Sequence, residues 1–141
     1  MSGRPTASRR TVLRGAALVP ATGLGLTACS PTGGSTAPAT PTAPVDLGAE
    51  SEVENGGAAL HQDHNVVVSR SGRGELKAYS SICTHAGCPI DKLEGTTLTC
   101  SCHGSEFDAT TGQVLRRPAT VPLNELPVKA ENGRIVVSPP A

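Results

Sequence analysis

The residues best suited to chemistry in this chain fall in two short stretches. One reads Cys83-Thr84-His85-Ala86-Gly87-Cys88, the other Cys100-Ser101-Cys102-His103-Gly104-Ser105, with eleven residues between them. Each carries a Cys and a His close together: Cys83 and His85 at C-x-H spacing, Cys100 and His103 at C-x-x-H spacing. Two thiolates and two imidazoles form a metal-binding donor set. Structural zinc takes it as Cys2His2. A [2Fe–2S] centre takes it when two His replace two Cys on one of its irons. Zinc knuckles favour a few residues between paired Cys, and the C-x-H of the first stretch does not supply that spacing. No Ser-His-Asp set, paired-carboxylate site or phosphate loop is visible, so metal chemistry is expected without bond-making catalysis by this chain alone.

The matches extend beyond the four donors. Phe107 and Asp108 follow the second stretch, so the whole reads C-T-H-x-G-C, then C-x-C-H-G-S-x-F-D. This resembles the Rieske family, with specific motifs over about residues 76–123. The resemblance implies a [2Fe–2S] cluster with Cys83 and Cys100 on one iron and His85 and His103 on the other. It implies a Cys88–Cys102 disulfide, as in the respiratory, quinol-oxidising branch; single-module Rieske ferredoxins generally lack that pair. Ser105 matches the family Ser whose hydroxyl bonds a bridging sulfide, and such neighbours tune potential. Gly87 and Gly104 are expected to let backbone N–H groups approach the cluster sulfurs with no Cβ in the way. Phe107 stands where high-potential members carry Tyr, so one hydroxyl to a Cys sulfur is missing and a lower potential is expected. Pro118-Ala119 matches part of the Pro-rich loop with which the family covers its cluster. Ala86 replaces the bulky apolar residue usual in quinol-oxidising members, which removes apolar surface beside His85. Arg116 and Arg117 read as a solvated basic pair.

The mixed donor set has an electronic consequence. Thiolates give strong negative charge to one iron and neutral imidazoles give less to the other, so the His-bound iron takes the electron. The potential then lies in a range of about −150 to +300 mV. With Nδ1 on the metal, the far edges of His85 and His103 face solvent as an electron exit and a proton site.

Elements must hold these two loops. Short strands are expected over 57–61, 65–70, 76–80, 96–99, 112–115, 126–130 and 134–138, separated by turn residues. Val66-Val67-Val68 is β-branched and leads to the turn Ser71-Gly72-Arg73-Gly74. Asn132-Gly133 is a hairpin signal. Many short strands with regular turns argue an all-β, antiparallel sandwich over 46–141, with the two ligand loops forming a small cluster-binding subdomain by the resemblance. His61 and His64, outside both loops, read as surface residues.

The N-terminal third reads differently. Arg4, Arg9, Arg10 and Arg14 precede residue 15, where no acidic residue occurs. Ser8-Arg9-Arg10-Thr11-Val12-Leu13 resembles a twin-arginine export signal. Residues 15–28 are weakly apolar, of signal-peptide length, and no apolar run approaches the roughly 20 residues of a bilayer span. Leu26-Thr27-Ala28-Cys29 resembles a lipobox, which makes Cys29 a lipidation site and accounts for the fifth Cys. The expected segments are a signal peptide over 1–28, a lipidated Cys29 with a Pro/Thr/Ala-rich tether over 29–45, and the folded domain over 46–141. The tether could reach roughly 50 Å if polyproline-like. Twin-arginine export moves folded chains, so a cluster can be loaded before export. From Cys29 onward eight basic residues stand against twelve acidic ones, a mildly acidic balance that argues against nucleic acid as a partner.

The expectation is an exported, lipid-anchored Rieske electron-transfer protein on the outer face of the cytoplasmic membrane, with a redox protein or quinol as partner. It would serve as the iron–sulfur subunit of a cytochrome bc-like complex. The alternatives are the small subunit of an exported oxidase, resembling arsenite oxidase, and a non-redox Cys2His2 zinc module. A Rieske protein is red-brown and a zinc protein colourless.

Overall fold

The computed structural model describes residues 39–141. The expected export signal, Cys29 and the tether up to residue 38 lie outside the described residues.

The fold is built around one doubly covered strand. In β3 (Val66–Arg70) four successive residues, Val66 to Ser69, are buried. It pairs antiparallel with β2 (Ala58–His61) on one side and β4 (Leu76–Ser80) on the other, and β9 (Glu125–Leu126) extends that sheet beyond β4. Successive strand residues point to opposite faces, and the cores divide accordingly. Val67 and Tyr79 enter one core with Ile90, Leu98, Phe107 and Leu123. Val66, Val68 and Ala78 enter the other with Leu47, Val53, Leu126, Ile135 and Val137.

Two further antiparallel sheets cover the two faces. One has the order β1 (Val45–Ala49), β11 (Arg134–Val137), β10 (Val128–Glu131). Its β10–β11 hairpin turns at Asn132 and Gly133, both at positive φ (52° and 75°), with Glu131 paired to Arg134. That is the turn Asn-Gly selects. The other sheet has the order β5 (Lys92–Glu94), β6 (Thr97–Thr99), β7 (Glu106–Asp108), β8 (Val114–Arg116). Leu98 faces Phe107 across β6 and β7. The first ligand loop lies between β4 and β5, the second between β6 and β7, so this small sheet carries the tip.

The all-β antiparallel expectation holds, with differences in detail. The strand expected over 126–130 is two: Pro127 has no N–H to donate, and the chain passes from β9 in the central sheet to β10 in the outer one. β1 begins at Val45, one residue inside the expected tether. Ala39 and Thr40 also touch the domain, through Asn65 Nδ2 donating to the Ala39 carbonyl at 2.9 Å and a 3.1 Å hydroxyl pair with Ser80. β1, β5 and β7 were not expected; Lys92–Glu94 and Glu106–Asp108, of three residues each, are too short for an alternation to register.

His61 differs from a surface histidine. It closes β2 half-buried, and its Nε2 is enclosed without a partner among the described residues. Burial, aided by the charge of His64, pulls the imidazole below its ordinary value, while Glu52 acts the other way. The folded state therefore favours neutral His61. That contribution is present above the unfolded value of about 6.5 and lost as pH falls through and below it. Denaturant unfolding at stepped pH is expected to show stability declining on acidification, with a shallower decline in His61→Gln. An equal slope in both contradicts this.

Candidate metal centre

The two ligand loops are built alike. In the first, Cys83 N–H donates to the Cys88 carbonyl at 2.8 Å and Gly87 N–H donates to the Cys83 carbonyl at 2.9 Å. In the second, Cys100 N–H donates to the Ser105 carbonyl at 2.9 Å and Gly104 N–H to the Cys100 carbonyl at 2.9 Å. Each loop thus folds back on its leading Cys. Gly87 (φ 75°) and Gly104 (φ 79°) take the left-handed conformation that lets it do so. The glycines' own N–H groups close the loops. At Cys100 the N–H groups that draw the thiol toward ionisation belong to Cys102 and His103.

The loops present thiols inward and rings outward. Cys83 and Cys100 are free and buried, at 3% and 1% exposure. Burial, reinforced by the neighbouring Cys83 thiol, pushes the Cys100 thiol up. His85 and His103 are exposed, with ring centroids 4.7 Å apart and planes nearly perpendicular at 83°. Cys88 and Cys102 form the disulfide between the loops. The sulfurs of Cys88, Cys100 and Cys102 lie within 4.8 Å of one another, but a disulfide carries no thiolate charge, which leaves Cys100 the donor of that trio. Two adjacent thiols in a dry pocket exchange their protons for a metal. With two imidazoles from the same loops, the donor set fits a mixed-ligand [2Fe–2S] cluster.

A third segment leans on both loops. Ser105 is fully buried, and its Oγ accepts the Ala119 N–H at 2.9 Å. Thr84 donates its hydroxyl to the Val121 carbonyl at 2.6 Å. Residues 117–122 thus touch both loops, with Ala119 and Val121 making the contacts and Pro118 exposed. Arg116 pairs with Glu106 at 2.9 Å, and Arg117 has no ion-pair partner among the described residues. Val121 escaped sequence reasoning, and the hydrogen bonds made by Thr84 and Ala119 are marked by no spacing rule.

Asp91 was missed as well. Its Oδ1 accepts the Ser101 N–H at 3.0 Å, and its carbonyl accepts Gln62 Nε2 at 3.0 Å. The Ser101 hydroxyl, and then its N–H, hold the Asp91 carboxyl below the usual carboxylate range.

Phe107 is fully buried in the core that contains Cys83 and Cys100. Phe107→Tyr adds a hydroxyl in that core, and a hydrogen bond to a Cys sulfur stabilises the more negative, reduced state. The variant's midpoint potential is expected to exceed wild type, and a redox titration with no rise contradicts this.

Two disulfide-tied loops with paired thiols and paired exposed imidazoles define an iron–sulfur electron-transfer site. A family model for the Rieske [2Fe–2S] domain matches residues 43–127, and the chain belongs to that family, whose domain holds a [2Fe–2S] cluster. The cytochrome b6-f complex iron-sulfur subunit of Chlorobaculum tepidum is 39% identical over 95 residues, covering 65% of this chain and 51% of that subunit. The chain thus spans about half the length of that relative. Among solved structures, the plasma-membrane Rieske protein of Synechocystis PCC 6803 aligns with TM-score 0.53 and 29% identity, over 67% of this chain and 99% of that one. The ferredoxin of carbazole 1,9a-dioxygenase from Nocardioides aromaticivorans IC177 aligns with TM-score 0.51 and 26% identity, over 70% and 99%.

Proposed function

We propose that this chain carries single electrons on the outer face of the cytoplasmic membrane, as the iron–sulfur subunit of a quinol-oxidising, cytochrome bc-like complex. Cys83 and Cys100 hold one iron, His85 and His103 the other. The observation that carries the reading is the placement of two buried thiols and two exposed rings on one disulfide-tied tip. The b6-f relative supports the complex by similarity. The twin-arginine and lipobox patterns support export and a lipid anchor at Cys29.

When bound, the cluster supplies a one-electron couple of about −150 to +300 mV. The chain's residues do the rest. The buried thiols and the Ser105–Ala119 link exclude water from the inner side. The exposed rings give an electron a short way out, and each can hold a proton at Nε2. A cluster held by these rings would couple that proton to the electron it carries.

A second reading has a specific observation behind it. Ala86, beside His85, is exposed and small, which leaves little apolar surface for a quinol ring. This favours the small subunit of an exported oxidase.

Redox titration of the full chain across pH tests the quinol reading against a ferredoxin-like carrier. A high potential that falls as pH rises supports proton-coupled transfer to or from quinol or an exported oxidase. A low, pH-independent potential contradicts the quinol reading and points to a ferredoxin-like carrier.

A further inference from the structure

The disulfide joins the loops at Cys88 and Cys102, but it leaves the peptide that follows Cys100 to be set by something else. That peptide has two groups. Its carbonyl, on Cys100, accepts the Gly104 N–H at 2.9 Å. Its N–H, on Ser101, is donated to Asp91 Oδ1 at 3.0 Å. In a trans peptide these groups point in opposite directions, so the carboxylate on one side and the glycine N–H on the other fix the plane. Asp91 is itself held from below, because Gln62, in the turn between β2 and β3, donates to its carbonyl at 3.0 Å. One residue thus connects the chain leaving the first loop, the middle of the second loop and the central sheet. Its side chain is exposed, so packing does not account for the arrangement.

We propose that Asp91 is a positioning residue of the cluster site. Its carboxylate sets the plane of the Cys100–Ser101 peptide and with it the aim of the Cys100 sulfur, and its negative charge beside that loop disfavours reduction. The inference rests on the reading of Cys100 as an iron ligand. The two effects separate by substitution. Asp91→Asn keeps an oxygen that accepts the Ser101 N–H and removes the charge. Asp91→Ala removes both.

The test uses the full chain with its cluster, followed by visible absorbance on warming, by EPR and by redox titration. Asp91→Ala is expected to lose its cluster severalfold faster than wild type. Asp91→Asn is expected to keep it nearly as long as wild type, with a more positive midpoint potential. A wild-type cluster lifetime in Asp91→Ala overturns the positioning role, as does an Asn variant as labile as the Ala variant. An unchanged potential in Asp91→Asn overturns the charge effect. A wild-type chain without a Rieske EPR signal overturns the ligand reading itself, and the role of Asp91 with it.

Discussion

Cys83→Ser and His85→Ser are each expected to yield a folded chain that holds no [2Fe–2S] cluster, colourless and without a Rieske EPR signal. They should differ in what else they lose. Cys83 is buried in the core shared with Cys100, Phe107 and Leu98. A serine hydroxyl there has no assured partner, and an unsatisfied buried hydroxyl costs about 1–3 kcal/mol. His85 is exposed, in no core, so its loss should leave the apo-domain's unfolding midpoint unchanged. The second core, with Leu47, Ile135 and Val137, lies on the opposite face of the central sheet and should keep both variants folded. Metal analysis and apo-protein denaturation check the pair. Full cluster retention in either variant contradicts the ligand assignment.

Removing both disulfide cysteines, as Cys88→Ser with Cys102→Ser, should have the next largest effect. The bridge spans a sequence separation of 14, and closing a loop of that size is worth about 3 kcal/mol in the chain-entropy account. Both loops are held at their bases by backbone bonds, including an isolated bridge between Ile82 and Pro89, so the loss falls on the tip. The expected result is a lower unfolding midpoint and a cluster that bleaches severalfold faster on warming. The double variant is the cleaner probe, because a single Cys88→Ser leaves the Cys102 thiol within 4.8 Å of Cys100, free to compete for metal. If the double variant bleaches no faster than wild type, the disulfide does not clamp the site.

Much of this was legible in the sequence, for identifiable reasons. The Cys and His positions carry their meaning in spacing alone. Strands such as Val66–Arg70 announce themselves by consecutive β-branched residues, and Asn132-Gly133 names its own turn. What escaped depends on contacts between segments distant in the chain. Asp91 follows the first loop as an ordinary exposed carboxylate, and only the fold brings Ser101 to it. Ala119 and Val121 meet the loops through backbone atoms, which side-chain identity does not encode. That the N–H groups of Gly87 and Gly104 close the loops is a matter of local turn geometry that residue type leaves open. Pro127 marks a change of sheet that appears in sequence as a single apolar run.

Pulsed EPR of the reduced full chain, read for nitrogen hyperfine coupling, decides whether His85 and His103 hold the cluster. Coupling from two imidazole nitrogens on the reduced iron is expected, with His85→Ser and His103→Ser each removing the signal together with the cluster. A cluster signal without histidine nitrogen coupling, or a colourless protein that binds zinc at the same four residues, would contradict it.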